Sequence, residues 1–168
     1  AHDFSSIGNG QTVSYDWSVD DVTLPLVVEV TVDGNQPHSS LTLDHASGGR
    51  FELGIGWGSV PEEFEAFGVG DTAAKTRIAR FAETLEVVRR LWSGEPVDFD
   101  GEFHRIRGGV QQPTPLGAIP ITIGGAGPKT LRLVAEYADW WNCPIYAVDR
   151  FDELRAAAGD AKPSLQEM

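Results

Sequence analysis

Two glycine-punctuated segments have the residue types and spacing of a binding site. One is Arg50-Phe51-Glu52-Leu53-Gly54-Ile55-Gly56-Trp57-Gly58 and the other is Ile121-Thr122-Ile123-Gly124-Gly125-Ala126-Gly127-Pro128. Each reads as a buried strand running into a glycine-rich loop and then a helix start. Glycine tolerates positive φ and lets a ligand come close to the backbone. The first turn of a helix presents N–H groups without intrahelical acceptors, and these favour an anion. In a parallel α/β fold, such turns offer a cradle for the phosphate of a flat cofactor. The second turn is neither the dinucleotide pattern G-x-G-x-x-G nor a Walker loop, which requires Gly-Lys-Ser/Thr. Alone, a Gly-Gly-x-Gly-Pro turn does not specify its ligand, and Lys129 after it reads as a surface cation.

No catalytic constellation accompanies the turns. His2, His38, His45 and His104 lack metal-ligand spacing, so no metal site is expected. His45, beside Asp44 and just before a glycine turn, reads as a capping or surface residue. His104 falls in a hairpin and reads as solvent-facing. Glu62, Glu63 and Glu65 suit a helix N-terminus. Ser47 and Ser93 lack a nucleophile-elbow context. Cys143, between tryptophans and a proline, reads as a buried structural thiol. The catalytic residues stay unassigned, and the chemistry is expected to belong to the cofactor.

The elements that must position these turns follow from periodicity. Residues 1–40 are the least readable. Ser14–Val19 alternates weakly, while Leu24–Val32 is a β-branched strand ending at the turn signal Asp33-Gly34-Asn35. Pro25 suits the start of that strand or a sheet edge. Ser39–Ala46 suits a short helix stopped by Ser47-Gly48-Gly49. In the first glycine segment, Phe51, Leu53, Ile55 and Trp57 form an apolar face, and the other face carries almost no side chains. At Gly54 close helix packing and room for a ring system explain the pattern equally well. At Gly56 and Gly58, on the strand's carboxyl end, the ring-site reading is the better one.

Ser59-Val60-Pro61-Glu62 resembles a capping box opening a short helix that ends at Gly68. Ala74–Trp92 is an amphipathic helix with Ile78, Phe81, Ala82, Leu85, Val88, Leu91 and Trp92 on its apolar stripe. Arg77, Arg80, Glu83, Glu86 and Arg89 form the opposite stripe, expected to be solvated and paired at i,i+3 spacing. Val97–Ile106 reads as a hairpin turning at Asp100-Gly101, and Pro113, Pro115 and Gly117 as a linker. Ile119–Ile123 is a strand. A helix from Pro128 buries Leu131, Val134, Ala135 and Ala138, and a strand covers Asp139–Ile145. Asp149 is expected to cap a last helix through Leu154 and Ala158, with a loose tail from Gly159.

Length and charge bound the function. The 168 residues, 41% hydrophobic and 23% charged, suit a soluble globular domain. The net charge of −12 argues against nucleic acid and anionic membrane surfaces as partners, but not against one phosphate held by backbone amides. A single cysteine precludes an intrachain disulfide, and neither a membrane-spanning run nor a signal-peptide pattern is present. A cytoplasmic protein is expected.

Four ordered stretches carry a family resemblance. Leu43–Gly58, Glu62–Gly68, Leu91–Val97 and Pro120–Pro128, continued by Tyr137-Ala138-Asp139-Trp140-Trp141-Asn142, resemble the bacterial luciferase-like monooxygenase superfamily. The match runs from about Leu41 to Pro144. It implies a (β/α)₈ barrel using FMN or the deazaflavin coenzyme F-420 on a small-molecule substrate. The loop Gly124, Gly125, Ala126 and Gly127 would lie by the cofactor phosphate, and Gly56 and Gly58 would line the same carboxyl-end mouth. The wording leans toward the deazaflavin branch.

A full barrel takes about 250 residues, and residues 1–40 have no counterpart of the family's opening strands. The strands expected after Ile145 also have no recognisable counterpart. The fold class expected is therefore α/β: a partial or altered TIM-type (β/α) barrel with parallel strands and a divergent N-terminal β segment. Its parts are residues 1–40, a luciferase-like core at 41–145, and a C-terminal helix and tail at 146–168. The function expected is a flavin- or deazaflavin-dependent oxidoreductase, acting by monooxygenation or hydride transfer, in truncated form. The alternative is a non-catalytic flavin-binding or structural relic, oligomeric as a homodimer through open sheet edges. An unrelated activity acquired with residues 1–40 ranks below both.

Overall fold

A computed structural model of the chain describes residues 12–19, 22–29, 41–58 and 73–166, in two compact units. The smaller holds strands β1 (Thr12–Val19) and β2 (Val22–Glu29), helix α1 (Leu41–Ser47) and the stretch Pro115–Ala118. β1 and β2 pair antiparallel over their full length, so the weakly alternating Ser14–Val19 is a strand in its own right. Pro25 lies mid-strand opposite Asp16. A two-stranded ribbon is all edge, which is why proline is accommodated there. Residues 30–32 of the expected strand and its turn lie outside the described residues, as does the helix expected after Ser59.

α1 ends as the sequence predicts, with Gly48 at φ 68° and Gly49 at φ 81°. There the N–H of Gly49 bonds the Asp44 carbonyl at 2.8 Å. The buried Asp44 carboxylate accepts the Leu116 N–H at 2.8 Å, fastening the Pro115–Ala118 stretch to the helix within this unit.

The larger unit is built on a parallel sheet in the order β3 (Leu53–Ile55), β6 (Ile121–Gly124), β7 (Trp140–Pro144) and β8 (Lys162–Gln166). Among the described residues β3 and β8 end this sheet, so it is a parallel α/β sheet of the TIM-barrel kind without closure. β8 corrects the expectation of a loose tail after Gly159 and of missing strands beyond Ile145: it pairs with β7 over five residues. Period two could not identify it, because Lys-Pro-Ser-Leu-Gln has no apolar alternation to read.

The sheet's two faces differ sharply. Ile123, Trp141 and Cys143, each fully buried, face helices α2 (Ala74–Leu91), α3 (Pro128–Tyr137) and α4 (Phe151–Ala157). Each large apolar side chain buried this completely contributes about 1.5–3 kcal/mol. Register puts Gly54, Thr122 and Trp140 side by side on the opposite face, with Gly124, Asn142 and Ser164 two residues further on. Apart from Trp140, that face is small and polar where a packed barrel interior would carry bulky branched residues.

Two expectations about α3 and α4 need correction. In α3, Leu131 and Val134 are buried with Thr130, but Ala135 is exposed. Asp149 does not cap α4: a 3-10 turn (Ile145–Arg150) runs straight into it, and the N-cap position is Arg150, without a side-chain cap bond.

The charged stripe of α2 is a docking surface rather than a solvated face. Arg77 is buried, with its guanidinium 5.1 Å from the Trp57 ring. Glu83 accepts the N–H groups of Glu102, Phe103 and His104 at 2.8, 2.9 and 3.1 Å. Those residues form the loop between β4 (Val97–Asp100) and β5 (Arg105–Gly109). Desolvation there raises the Glu83 pKa, but the three N–H donors, Phe103 first, and the nearby His104 outweigh it, leaving the carboxyl below its ordinary range. His104 is half-buried, its Nε2 2.9 Å from Thr84 Oγ1, and does not simply face solvent. Arg80 sits over Phe103, and Arg89 over Tyr137. Arg90 and then the Tyr137 hydroxyl hold the Glu86 carboxyl below its usual range, whereas burial and Glu86 push the Tyr137 phenol up. Alternation of charge along a helix reports solvent only when no second layer covers it.

Candidate functional site

The open face of the sheet ends, at the strands' carboxyl side, in a cavity of about 500 Å³. Gly56 and Gly58 reach it from the β3 turn; Gly124, Gly125, Ala126 and Gly127 reach it from the β6 turn. The six residues singled out from the sequence therefore line one cavity. They meet because β3 and β6 are adjacent parallel strands, with Ile55 opposite Ile123, so their following turns emerge side by side. Cavities of a few hundred Å³ are the size class of small-molecule and cofactor sites.

Glycine matters differently at three of these positions. A Cβ at Gly54 or Gly56 would meet nothing within 4 Å, so these residues leave the cavity wall free of side chains. Gly125 has φ 133°, and a Cβ there would lie 3.0 Å from Thr130 Cγ2. Its turn needs glycine for conformation as well as for space.

The β6 turn leads directly into α3. Pro128 occupies the first helical position, as expected, and Leu131 N–H bonds the Gly127 carbonyl at 2.9 Å. Helical geometry leaves the N–H groups of Lys129 and Thr130 without intrahelical acceptors, and Thr130 lines the cavity.

Side chains the sequence reading did not single out complete the site. Trp57 Nε1 donates to Thr130 Oγ1 at 3.1 Å, bridging the two turns. Trp141, packed behind them, donates to the Gly125 carbonyl at 2.8 Å and stacks on Phe151 at 5.7 Å. Asn142 lines the cavity with its Oδ1 shielded from solvent and without a hydrogen-bond partner. Ile145 and the largely exposed Tyr146 stand at the rim. Alternation offered a signal for Asn142: Trp141 and Cys143 belong to the buried face, so the residue between them must face the other way. Nothing in the sequence pairs Trp57 with Thr130, which are 73 residues apart.

Among the described residues, the cavity lining contains no carboxylate, histidine, lysine or cysteine. Among the described residues no group of three His, Cys, Asp or Glu is placed to hold a metal. Cys143 is fully buried behind the sheet, and desolvation pushes its thiol pKa up, as befits a structural thiol. Among the described residues no helix is long and apolar enough to cross a membrane. The arrangement can hold an anion at one end, a flat group along its glycine wall, and a polar edge at Asn142.

Comparisons with known proteins agree with this architecture. The F-420-dependent glucose-6-phosphate dehydrogenase of Mycolicibacterium fortuitum is 35% identical over 96 residues, 56% of this chain and 29% of that protein. The chain thus matches under a third of the length of that relative. The monooxygenase RslO1 from Streptomyces bottropensis superposes with a TM-score of 0.61 at 28% identity, covering 72% of this chain and 37% of that one. An F-420-dependent secondary alcohol dehydrogenase shares the fold, with a TM-score of 0.60 at 24% identity over 74% of this chain and 42% of its own. A model of the luciferase-like monooxygenase family matches residues 38–166. With most of its length matched and its glycine turns converging on one cavity, the chain belongs to the luciferase-like monooxygenase family.

Proposed function

We propose that this chain forms the cofactor-binding part of a luciferase-like oxidoreductase that takes FMN or the deazaflavin coenzyme F-420. The observation that carries the reading is the meeting of two glycine turns, from neighbouring parallel strands, on one cavity of ligand size. The residues fit such a group. The wall at Gly54 and Gly56 is free of side chains, α3 points its N-terminus at the cavity edge, and Asn142 keeps a polar atom without a partner.

In this reading Gly124, Gly125, Ala126 and Gly127, with the N–H groups of Lys129 and Thr130, hold the phosphate. Gly56 and Gly58 leave width for the ring. When bound and reduced, the flavin supplies activation of dioxygen and the deazaflavin supplies a hydride to a small-molecule substrate. The chain's own residues bind and orient: Trp57 and Thr130 hold the two turns at a fixed separation, and Ile145 and Tyr146 border the rim where a substrate's apolar part would rest. The family and the two kinds of relative, dehydrogenase and monooxygenase, support either cofactor.

Titration of the purified protein with FMN and with coenzyme F-420, read by absorbance and fluorescence, tests the proposal. Saturable binding of one of them is expected; saturable binding of neither overturns it. A second reading is a non-catalytic flavin-binding or structural oligomer. It is favoured by the two unpaired edges, β3 and β8, of the described sheet. Cofactor binding without turnover, with a dimer mass by light scattering, would select it.

A further inference from the structure

Asn142 lies in β7 between Trp141 and Cys143, both fully buried on the helix-facing side of the sheet, so its side chain falls on the cavity side. Its strand neighbours in register are Gly124 and Ser164. Gly124 has no side chain to pair with it, and the Ser164 hydroxyl donates instead to the Trp141 carbonyl at 3.4 Å. The backbone carbonyl of Asn142 accepts the Gly125 N–H at 3.2 Å, while its side-chain Oδ1 has no donor. Buried carboxamide oxygens are nearly always paired, and leaving one unmade is costly. A half-turn of the carboxamide exchanges oxygen and nitrogen in almost the same volume, so the group can turn either atom toward the cavity.

We propose that Asn142 reads the imide edge of the bound ring and so orients the cofactor in the cavity. The inference rests on the flavin or deazaflavin reading of that cavity. Both rings end in a carbonyl, an N–H and a second carbonyl in a row, and a carboxamide is complementary to that edge. The Asn142 oxygen accepts the imide N–H, and its NH₂ donates to the adjacent carbonyl. The absent side chain at Gly124 leaves room for a flat edge to approach: a Cβ there would lie only 3.8 Å from Asn142 Cβ. Asn142 is thus a binding and orienting residue whose contribution is to affinity and pose rather than to proton transfer.

The test crosses a protein change with a ligand change. Wild type and Asn142→Leu, a substitution that keeps the branched four-atom skeleton without its polar atoms, are titrated with whichever of FMN and coenzyme F-420 the protein binds, and with the same cofactor methylated at the imide nitrogen. Each single change is expected to weaken binding about tenfold, and the two together no further, because they remove the same hydrogen bond. Losses that multiply overturn the inference. Should the variant fail to fold, wild type alone decides: equal affinity for the methylated and unmethylated cofactor overturns the inference. Wild type that binds neither cofactor overturns the proposed function and this inference together, whereas binding without discrimination overturns this inference alone.

Discussion

Trp57 Nε1 donates a 3.1 Å hydrogen bond to Thr130 Oγ1, joining the turn after β3 to the first turn of helix α3. The bond spans the mouth between two parallel strands and fixes the separation of the turns that wall the cavity. Arg77 lies 5.1 Å from the ring centre of the same indole, so α2 also holds the tryptophan. Trp57→Phe keeps an aromatic ring and loses the bond. It should cost about 0.5–1.5 kcal/mol in urea denaturation and weaken cofactor binding several-fold. Thr130→Val should behave alike, and the double variant should be little worse than either single one. Additive losses would show that the bond does not couple the turns.

Gly56 and Gly125 should part company when substituted. Nothing lies within 4 Å of a Cβ at Gly56, so Gly56→Val should leave thermal stability within about 0.5 kcal/mol of wild type while obstructing the ligand. At Gly125, with φ 133° and Thr130 Cγ2 3.0 Å from a Cβ, Gly125→Ala should cost about 1–3 kcal/mol as well as affinity. Thermal melts paired with titrations separate the two; Gly56→Val that binds normally would move the ligand off the glycine wall.

Glu83 gives the hairpin a pH dependence of known sign. Its carboxyl titrates below the ordinary value of 4.5 in the folded chain, so its clamp on residues 102–104 is fully present above that value. The clamp is lost as pH falls through the depressed folded-state pKa. Amide exchange at Glu102, Phe103 and His104, measured relative to the intrinsic rate at each pH, should therefore accelerate at acid pH. In Glu83→Gln it should already be fast at neutral pH, with the acid-induced change flattened. Unchanged protection in that variant would mean the loop is held by other contacts.

Cys143 should be inert while the protein is folded. It is fully buried and its thiol pKa is raised by desolvation, so little thiolate forms near neutrality. A thiol reagent should label it only in denaturant, and rapid stoichiometric labelling of the native protein would contradict the burial described.

The glycine turns, the α2 helix, the β4–β5 hairpin and the Pro128 helix start were legible in the sequence because each rests on local chemistry. Glycine marks left-handed or side-chain-free backbone, proline suits a first helical turn, and periods of two and 3.6 report which face is apolar. The family resemblance was legible for the same reason, being carried by the order of those local motifs. Tertiary structure alone decided three things. It brought Gly56 and Gly125 to one cavity, because parallel pairing of β3 with β6 is set by contacts between residues nearly 70 positions apart. It turned the Arg77–Glu83–Glu86 stripe from an apparent solvent face into the seat of Trp57, the hairpin loop and Tyr137, since a helix face cannot announce what will cover it. And it left Asn142 without a donor beside that cavity, because hydrogen-bond satisfaction is a property of neighbours in space, which composition and spacing do not encode.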